Sequence, residues 1–372
     1  MAGRFLLTHD VSDLCIGKPA LRWLPPSSTV AHAVAELDGQ GPDACLAVWD
    51  GKGTTTVAGR VRMSDVVVFL CADSNLASPA AALQATLADL LAAAGANAPP
   101  VRCVQPHVSV LEAVDALLGG AHCLLVPIHH NRMCWLSVED VVRFFLGSVA
   151  LFSSTASRSV SDLGVVSPAL SVAATDGALS AVAPLLRTAS VAVVSGGRIE
   201  GEISSSTLCS LDPSLAAAAF ATLSAGELAS FVDYVPTTRE AALRVVRSRI
   251  RRRNLHGMLD LLDGHDDLSS PSSLSSSSSP FSSSSSDDDE AAYNTRPTGK
   301  HGSWSKGRRA AREPISCRRG SSLVAVMAQA VAHRVTQVWV LGDEEELVGV
   351  VGFLDVLRVL RRHLLHTPPA HV

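Results

Sequence analysis

Aromatic residues are scarce in this chain: 4 % of its 372 residues are Phe, Trp or Tyr. A close-packed core must then be filled by Val, Leu and Ala, which the 47 % hydrophobic content supplies. Charge of either sign is also thin. Lys and Arg number 31 against 35 Asp and Glu, a net −4, too small a surplus to steer the chain to nucleic acid or to a membrane. No run reaches the ~18 apolar residues that a membrane-spanning helix needs. The eight cysteines are scattered, with no C-x-x-C pair and no metal-ligand spacing. Cys45, Cys123 and Cys134 fall in apolar stretches and read as buried, reduced thiols of an intracellular protein. The start, MAGRFLLTHDVSDL, carries Asp10 and no long apolar region. It makes a poor signal or transit peptide and points to the cytoplasm, with the nucleus left open. Catalytic signatures are missing too. There is no Gly-Lys-Ser phosphate loop and no Gly-x-Ser-x-Gly. The one His pair, His129-His130, would point to opposite faces of a strand. A non-enzyme is expected.

What the chain does have is a repeated unit. Leu347–Leu360 reads LVGVVGFLDVLRVL: an apolar strand, a turn at Gly352, then a helix with Asp355 in its first turn, where exposed N–H groups favour a carboxylate. The unit recurs as Val57–Leu70 with Asp65, as Cys134–Leu146 with Ser137 and Asp140, and as Gly201–Leu208 with Ser204 and Thr207. Each follows an apolar strand (Cys45–Trp49, Cys123–Ile128, Val191–Ser195, Val338–Leu341) and each strand follows a helix-like segment. Helix, strand, strand, helix, taken four times, predicts an α/β (α+β) repeat fold.

Gly-Val-Val-Gly-Phe-Leu-Asp at 349–355 and Ser-Val-Glu-Asp at 137–140 resemble the end of a cystathionine-beta-synthase (CBS) motif, and VSDLCIGKP, VSDLGVV and AVAHRVTQVWV resemble plant proteins with four such motifs. The resemblance implies two Bateman modules, each a pair of motifs with two clefts between them. It implies regulation rather than catalysis, with AMP, ATP or S-adenosylmethionine as ligand. It also implies output through an unidentified protein partner, a thioredoxin or a kinase; whether the chain forms a homodimer stays open. In such a cleft the carboxylate accepts hydrogen bonds from ribose hydroxyls, and the hydroxyl residue and helix N–H groups take phosphate. Ser137 with Asp140 keeps both members. Repeat one pairs Asp65 with Arg62, repeat three Ser204 with Thr207, and repeat four Asp355 with Gly352. Ser137 and Asp140 are therefore expected to form the best site, although Ser-x-x-Asp is also a capping box that needs no ligand. Arg62, His129, His130, Arg132 and Arg334 are the cations available for phosphate. Two readings stay open: an adenosyl-ligand sensor, or a ligand-free interaction scaffold of degenerate repeats.

The repetition of Val-Ser-Asp-Leu at 11–14 and 160–163 sets the expected module boundary near 155. The first module is 1–155 (motifs about 12–72 and 99–148) and the second 156–372 (about 159–210 and 313–366). Ser12 and Ser161 read as helix N-caps. Ala80–Ala94 reads as one linker helix, and Ala225–Val232 with Thr238–Leu262 as its counterpart; Leu243, Val246, Ile250 and Leu255 would face inward, leaving an arginine run in water. Gly264–Arg312 contains Ser269–Ser286, almost all Ser, followed by Asp287-Asp288-Asp289-Glu290, and is expected to be a disordered insertion. Trp339 sits in a strand whose alternation leaves it either buried or outward.

Overall fold

The computed structural model describes residues 8–40, 44–50, 57–95, 100–121, 123–128, 132–209, 211–266 and 313–366. These form four three-stranded sheets. In chain order the strands are β1 (Trp23–Leu24), β2 (Leu46–Trp49), β3 (Val57–Val61), β4 (Arg102–Cys103), β5 (Cys123–Ile128), β6 (Arg132–Ser137), β7 (Ser171–Ala173), β8 (Ser190–Ser195), β9 (Arg198–Ser204), β10 (Ser316–Arg318), β11 (Gln337–Leu341) and β12 (Leu347–Gly352). Each sheet is an antiparallel pair with one short strand added in parallel: β1 on β2, β4 on β5, β7 on β8, β10 on β11. The fourfold α/β repeat is thus present. The short parallel strands are additions to the pattern that the sequence suggests.

The helix-facing sides of the sheets bury Val and Leu, and the resulting apolar layers cross the chain's halves. One cluster joins repeats one and three: Leu46, Val48 and Leu70 pack with Val191, Val193 and Phe231. The other joins repeats two and four: Leu124, Leu136 and Phe145 with Val338, Val340 and Leu357. At the centre of the first cluster lies helix Pro213–Thr222, every residue of which is buried. A helix that is apolar all round belongs in an interior, and its alanines let neighbours approach closely. The opposite sides of the sheets meet repeat to repeat. In repeats three and four, Leu347 N–H donates to Gly197 O at 2.9 Å and Gln337 Nε2 to Ser190 O at 3.2 Å. In repeats one and two, Leu21 N–H donates to Met133 O at 2.7 Å.

Several expectations need correction. Helix Val11–Leu14 packs on repeat two rather than on repeat one: Val11 N–H donates to Val108 O, and Val11 joins the second cluster. Its N-cap is Asp10 and not Ser12. At 160–163 the backbone makes turns, and Ser159 rather than Ser161 accepts the Asp162 N–H. The chain enters each turn one residue before the Val, so the capping position falls earlier. The Ala-rich linker is two helices, Pro79–Gln84 and Leu87–Ala94, because Thr86 starts the second one by accepting from Asp89 N–H. The counterpart is one helix, Ala225–Arg252, followed by His256–Asp266. Val246 and Ile250 are buried as expected, with Leu243 and Leu255 packed beside them. Of the segment 264–312 expected to be a disordered insertion, residues 264–266 belong to helix His256–Asp266. Residues 267–312 lie outside the described residues, as do His129 and His130. Among the described residues no helix is long and apolar enough to cross a membrane.

Helix Ala225–Arg252 bends back on itself. Glu227 and Arg249, which a straight helix would hold about 33 Å apart, form a two-pronged ion pair at 2.5 and 2.6 Å. Hydrogen bonds from the Arg249 guanidinium hold the Glu227 carboxyl down at about 2. A depressed carboxylate stabilises the fold above its unfolded value, and that stabilisation is lost as pH falls through the folded one. Wild type should therefore lose stability between about pH 4.5 and pH 2 relative to Glu227→Gln, by about 1 kcal/mol after solvent screening. Parallel urea titrations at stepped pH measure the difference, and identical profiles would refute it.

The linkers of the two halves touch through a glycine. A Cβ placed on Gly257 would collide with Ala77 O and lie 3.2 Å from Pro79 Cδ. The obstacle is backbone and cannot rotate away. Gly257→Ala is expected to cost about 1–3 kcal/mol by overpacking, read as a lower urea midpoint with the slope unchanged. A stability equal to wild type would mean that the linkers separate easily.

Candidate functional site

Each repeat ends its hairpin by running straight into a helix, and the residue three places into that helix turns back onto the entering backbone. The reason is local: the first N–H groups of a helix lack carbonyl partners, so a short polar side chain satisfies them. All four motif positions do this, with different partners.

In repeat one, Asp65 is engaged by Arg62 from three donors: backbone N at 2.9 Å, Nε at 3.3 Å and Nη2 at 3.0 Å. The carboxylate raises the Arg62 guanidinium still further. In repeat two, Ser137 Oγ accepts from Asp140 N–H at 3.2 Å, while Asp140 Oδ2 accepts from Ser137 N–H and Oγ–H, both at 2.7 Å. The same Oδ2 pairs with Lys18 Nζ at 2.6 Å. In repeat three, Thr207 Oγ1 accepts from Ser204 N–H at 3.2 Å, and Ser204 Oγ from Thr207 N–H at 3.2 Å. In repeat four, Asp355 accepts from Gly352 N–H at 3.1 Å and from Ser167 Oγ–H at 3.0 Å, and pairs with Arg358 Nη1 at 2.6 Å.

The four motif positions do not meet at one point, but a cavity of about 470 Å³ opens against one of them. Its polar lining is Arg60, Arg62, Ser64 and Asp65 from repeat one and Arg187, Thr188 and Ser205 from repeat three, with Cys123 from repeat two. Its apolar walls include Phe69, Leu90, Leu91, Val101, Val182 and Leu185. Ser137, Asp140, Ser204, Thr207 and Asp355 lie outside this lining. Three arginines and one carboxylate leave a surplus of two positive charges. Ser64 is 3 % exposed, and among the described residues its Oγ has no hydrogen-bond partner, which is costly for a buried hydroxyl unless something else meets it. Burial pushes the Cys123 thiol up, against the pull of Arg60 and Arg62, so this sulfur is a neutral wall and a weak nucleophile.

Arg60 and Ser64 escaped the motif search, as did Arg187 and Thr188. The Arg60–Arg62 spacing carried a signal, since residues two apart on a strand share a face. Arg187 and Thr188 come from a loop of another repeat, which no local spacing announces.

Comparison with known proteins gives consistent results. The family described as CBS domain matches residues 310–362. The Arabidopsis thaliana CBS domain-containing protein CBSX5 is 38 % identical, covering 96 % of this chain and 98 % of its own length. CBSX6 of the same plant is 25 % identical, covering 97 % and 95 %. Among solved structures, a Methanocaldococcus jannaschii protein described as an archaeal homologue of γ-AMPK aligns with a TM-score of 0.58 at 14 % identity, covering 94 % of this chain and 99 % of that one. At that identity the likeness concerns the fold alone.

Proposed function

The chain belongs to the CBS domain-containing proteins, and from that premise we propose that it is a non-catalytic, cytoplasmic regulator that senses an adenosine-containing ligand and modulates a partner protein. The observation that carries this reading is the cavity at Asp65. Its volume of about 470 Å³ suits a small-molecule ligand, and apolar walls with a few convergent polar groups are the usual composition of such sites. The Leu and Val walls sandwich the purine. Ribose hydroxyls replace Arg62 at the Asp65 carboxylate, and the released guanidinium joins Arg60 and Arg187 on phosphate. The buried Ser64 hydroxyl gains a partner. The positive surplus favours AMP, ADP and ATP over the sulfonium of S-adenosylmethionine. Because the lining comes from both proposed modules, 1–155 and 156–372, an occupant ties one to the other. That change is what a partner, a thioredoxin or a kinase by family resemblance, would read.

The scaffold reading has its own support. Asp65, Asp140 and Asp355 are each already satisfied by groups of the chain itself, as capping alone would require. Thermal unfolding with and without millimolar AMP, ADP, ATP and S-adenosylmethionine separates the two. A ligand at a hundred times its dissociation constant stabilises by about 2.7 kcal/mol, a midpoint rise of several degrees. The sensor reading expects that rise with the phosphates and a smaller one with S-adenosylmethionine. Unchanged midpoints with all four would favour the scaffold.

A further inference from the structure

In repeat one the chain covers its motif carboxylate with its own guanidinium. Arg62 Nη2 donates to Asp65 Oδ1 at 3.0 Å, and Nε to Oδ2 at 3.3 Å. One planar fork thus takes both carboxylate oxygens, the two-pronged geometry in which arginine suits a carboxylate. The cations at the other two motif carboxylates each reach a single oxygen: Lys18 reaches Oδ2 of Asp140, and Arg358 reaches Oδ1 of Asp355. The helix start does not need the fork. Arg62 backbone N–H donates to Asp65 Oδ2 at 2.9 Å whatever the side chain does. The pair can therefore open with the cap intact. It opens into the cavity, which Arg62 and Asp65 line together with Arg60 and Arg187. Beside it, the buried Ser64 Oγ has no hydrogen-bond partner among the described residues. A hydroxyl left so in a cavity wall points to an occupant that the apo chain does not supply.

We propose that Arg62 is the specificity-determining residue of this cavity, a built-in competitor that restricts it to nucleosides carrying a phosphate. The proposal rests on the nucleotide reading above and adds the rule by which the site selects. Two neighbouring ribose hydroxyls donate a pair of hydrogen bonds to a carboxylate, in the places that Nη2 and Nε hold. They are neutral donors, so charge-assisted bonds give way to weaker ones. Adenosine would thus strip Arg62 from Asp65 and return nothing to the guanidinium. That leaves a part-buried cation without its counter-charge, beside Arg60 and Arg187, which is unfavourable. A 5′-phosphate supplies the missing counter-charge, so one ion pair is exchanged for another. The converse holds for an anion without a sugar. Inorganic pyrophosphate can gain Arg62 only by taking it from Asp65, and it brings no donor for the carboxylate left behind. Diol and phosphate must arrive on one molecule, and the Arg62–Asp65 pair enforces it.

Calorimetric titration of the full chain with AMP, adenosine and inorganic pyrophosphate tests this in wild type, Arg62→Gln and Asp65→Asn. Wild type should favour AMP over adenosine. In Arg62→Gln adenosine should bind roughly tenfold more tightly than in wild type and AMP no more tightly, so the preference contracts. Asp65→Asn keeps a short side chain for the cap and releases Arg62. It should bind pyrophosphate roughly tenfold more tightly than wild type does. Each variant carries its own arm, so one that misfolds leaves the other decisive. An AMP-to-adenosine ratio unchanged in Arg62→Gln, or a pyrophosphate affinity unchanged in Asp65→Asn, would overturn the proposal and leave the nucleotide reading standing. No binding of AMP to any of the three proteins would overturn the nucleotide reading and the proposal with it.

Discussion

Replacing Trp339 with Ala should remove about 3–5 kcal/mol of folding stability, a large share of the ~5–15 kcal/mol typical of a domain. Val338 and Val340 point into the helix-facing cluster, so the intervening Trp339 faces the other side of the sheet. There it is 1 % exposed. Its indole Nε1–H donates to Glu202 Oε2 of β9 at 2.8 Å, and the same oxygen accepts from Ser190 Oγ–H at 3.1 Å. The side chain therefore fills the seam between repeats three and four and satisfies a carboxylate inside it. Trp339→Phe keeps most of the apolar area and loses the hydrogen bond, so it should cost less, about 1.5–3 kcal/mol for a bond to a charged group. Urea unfolding of the three proteins gives both numbers. A cost under about 1 kcal/mol for the alanine variant, as at a surface position, would show that the seam is open.

Arg187→Ala should weaken ATP binding by roughly ten- to hundredfold, the equivalent of about 1.5–3 kcal/mol for a charge-assisted contact. Arg187 is exposed at the cavity mouth, so the substitution should leave stability within about 0.5 kcal/mol. Asp140→Ala should do the opposite: affinity unchanged, stability lower by about 1 kcal/mol because Ser137 N–H loses its acceptor. Calorimetric titration of the two variants with ATP decides. If Asp140→Ala weakens binding and Arg187→Ala does not, the site is at repeat two, where the motif is most complete.

The fourfold repeat is legible because apolar strands and a polar residue three places into the following helix recur in register with the fold. Shorter features are not. β1 and β4 hold two residues each, β7 and β10 three, too few to show a period of two. The break at Thr86 was readable in principle, since Thr86 and Asp89 have capping-box spacing, but the surrounding alanines mask it as one long helix. Ser137 and Asp140 could be found from spacing, and so could Asp65. That Asp65 shares a cavity with Arg187, and that Lys18 sits on Asp140, follow from which faces of different repeats meet. Sequence periodicity carries no information on that. The crossing of the apolar layers, repeat one to three and two to four, is hidden for the same reason.

The central claim, that a phosphate-bearing nucleotide occupies the cavity at Asp65, is tested most directly by a crystal structure of the protein soaked in ATP. The account predicts density for the purine between Leu91 and Val101, ribose on Asp65, and phosphates toward Arg60 and Arg187, with Ser64 Oγ hydrogen-bonded. Density at Asp140 instead, or an empty cavity at saturating nucleotide, would contradict it.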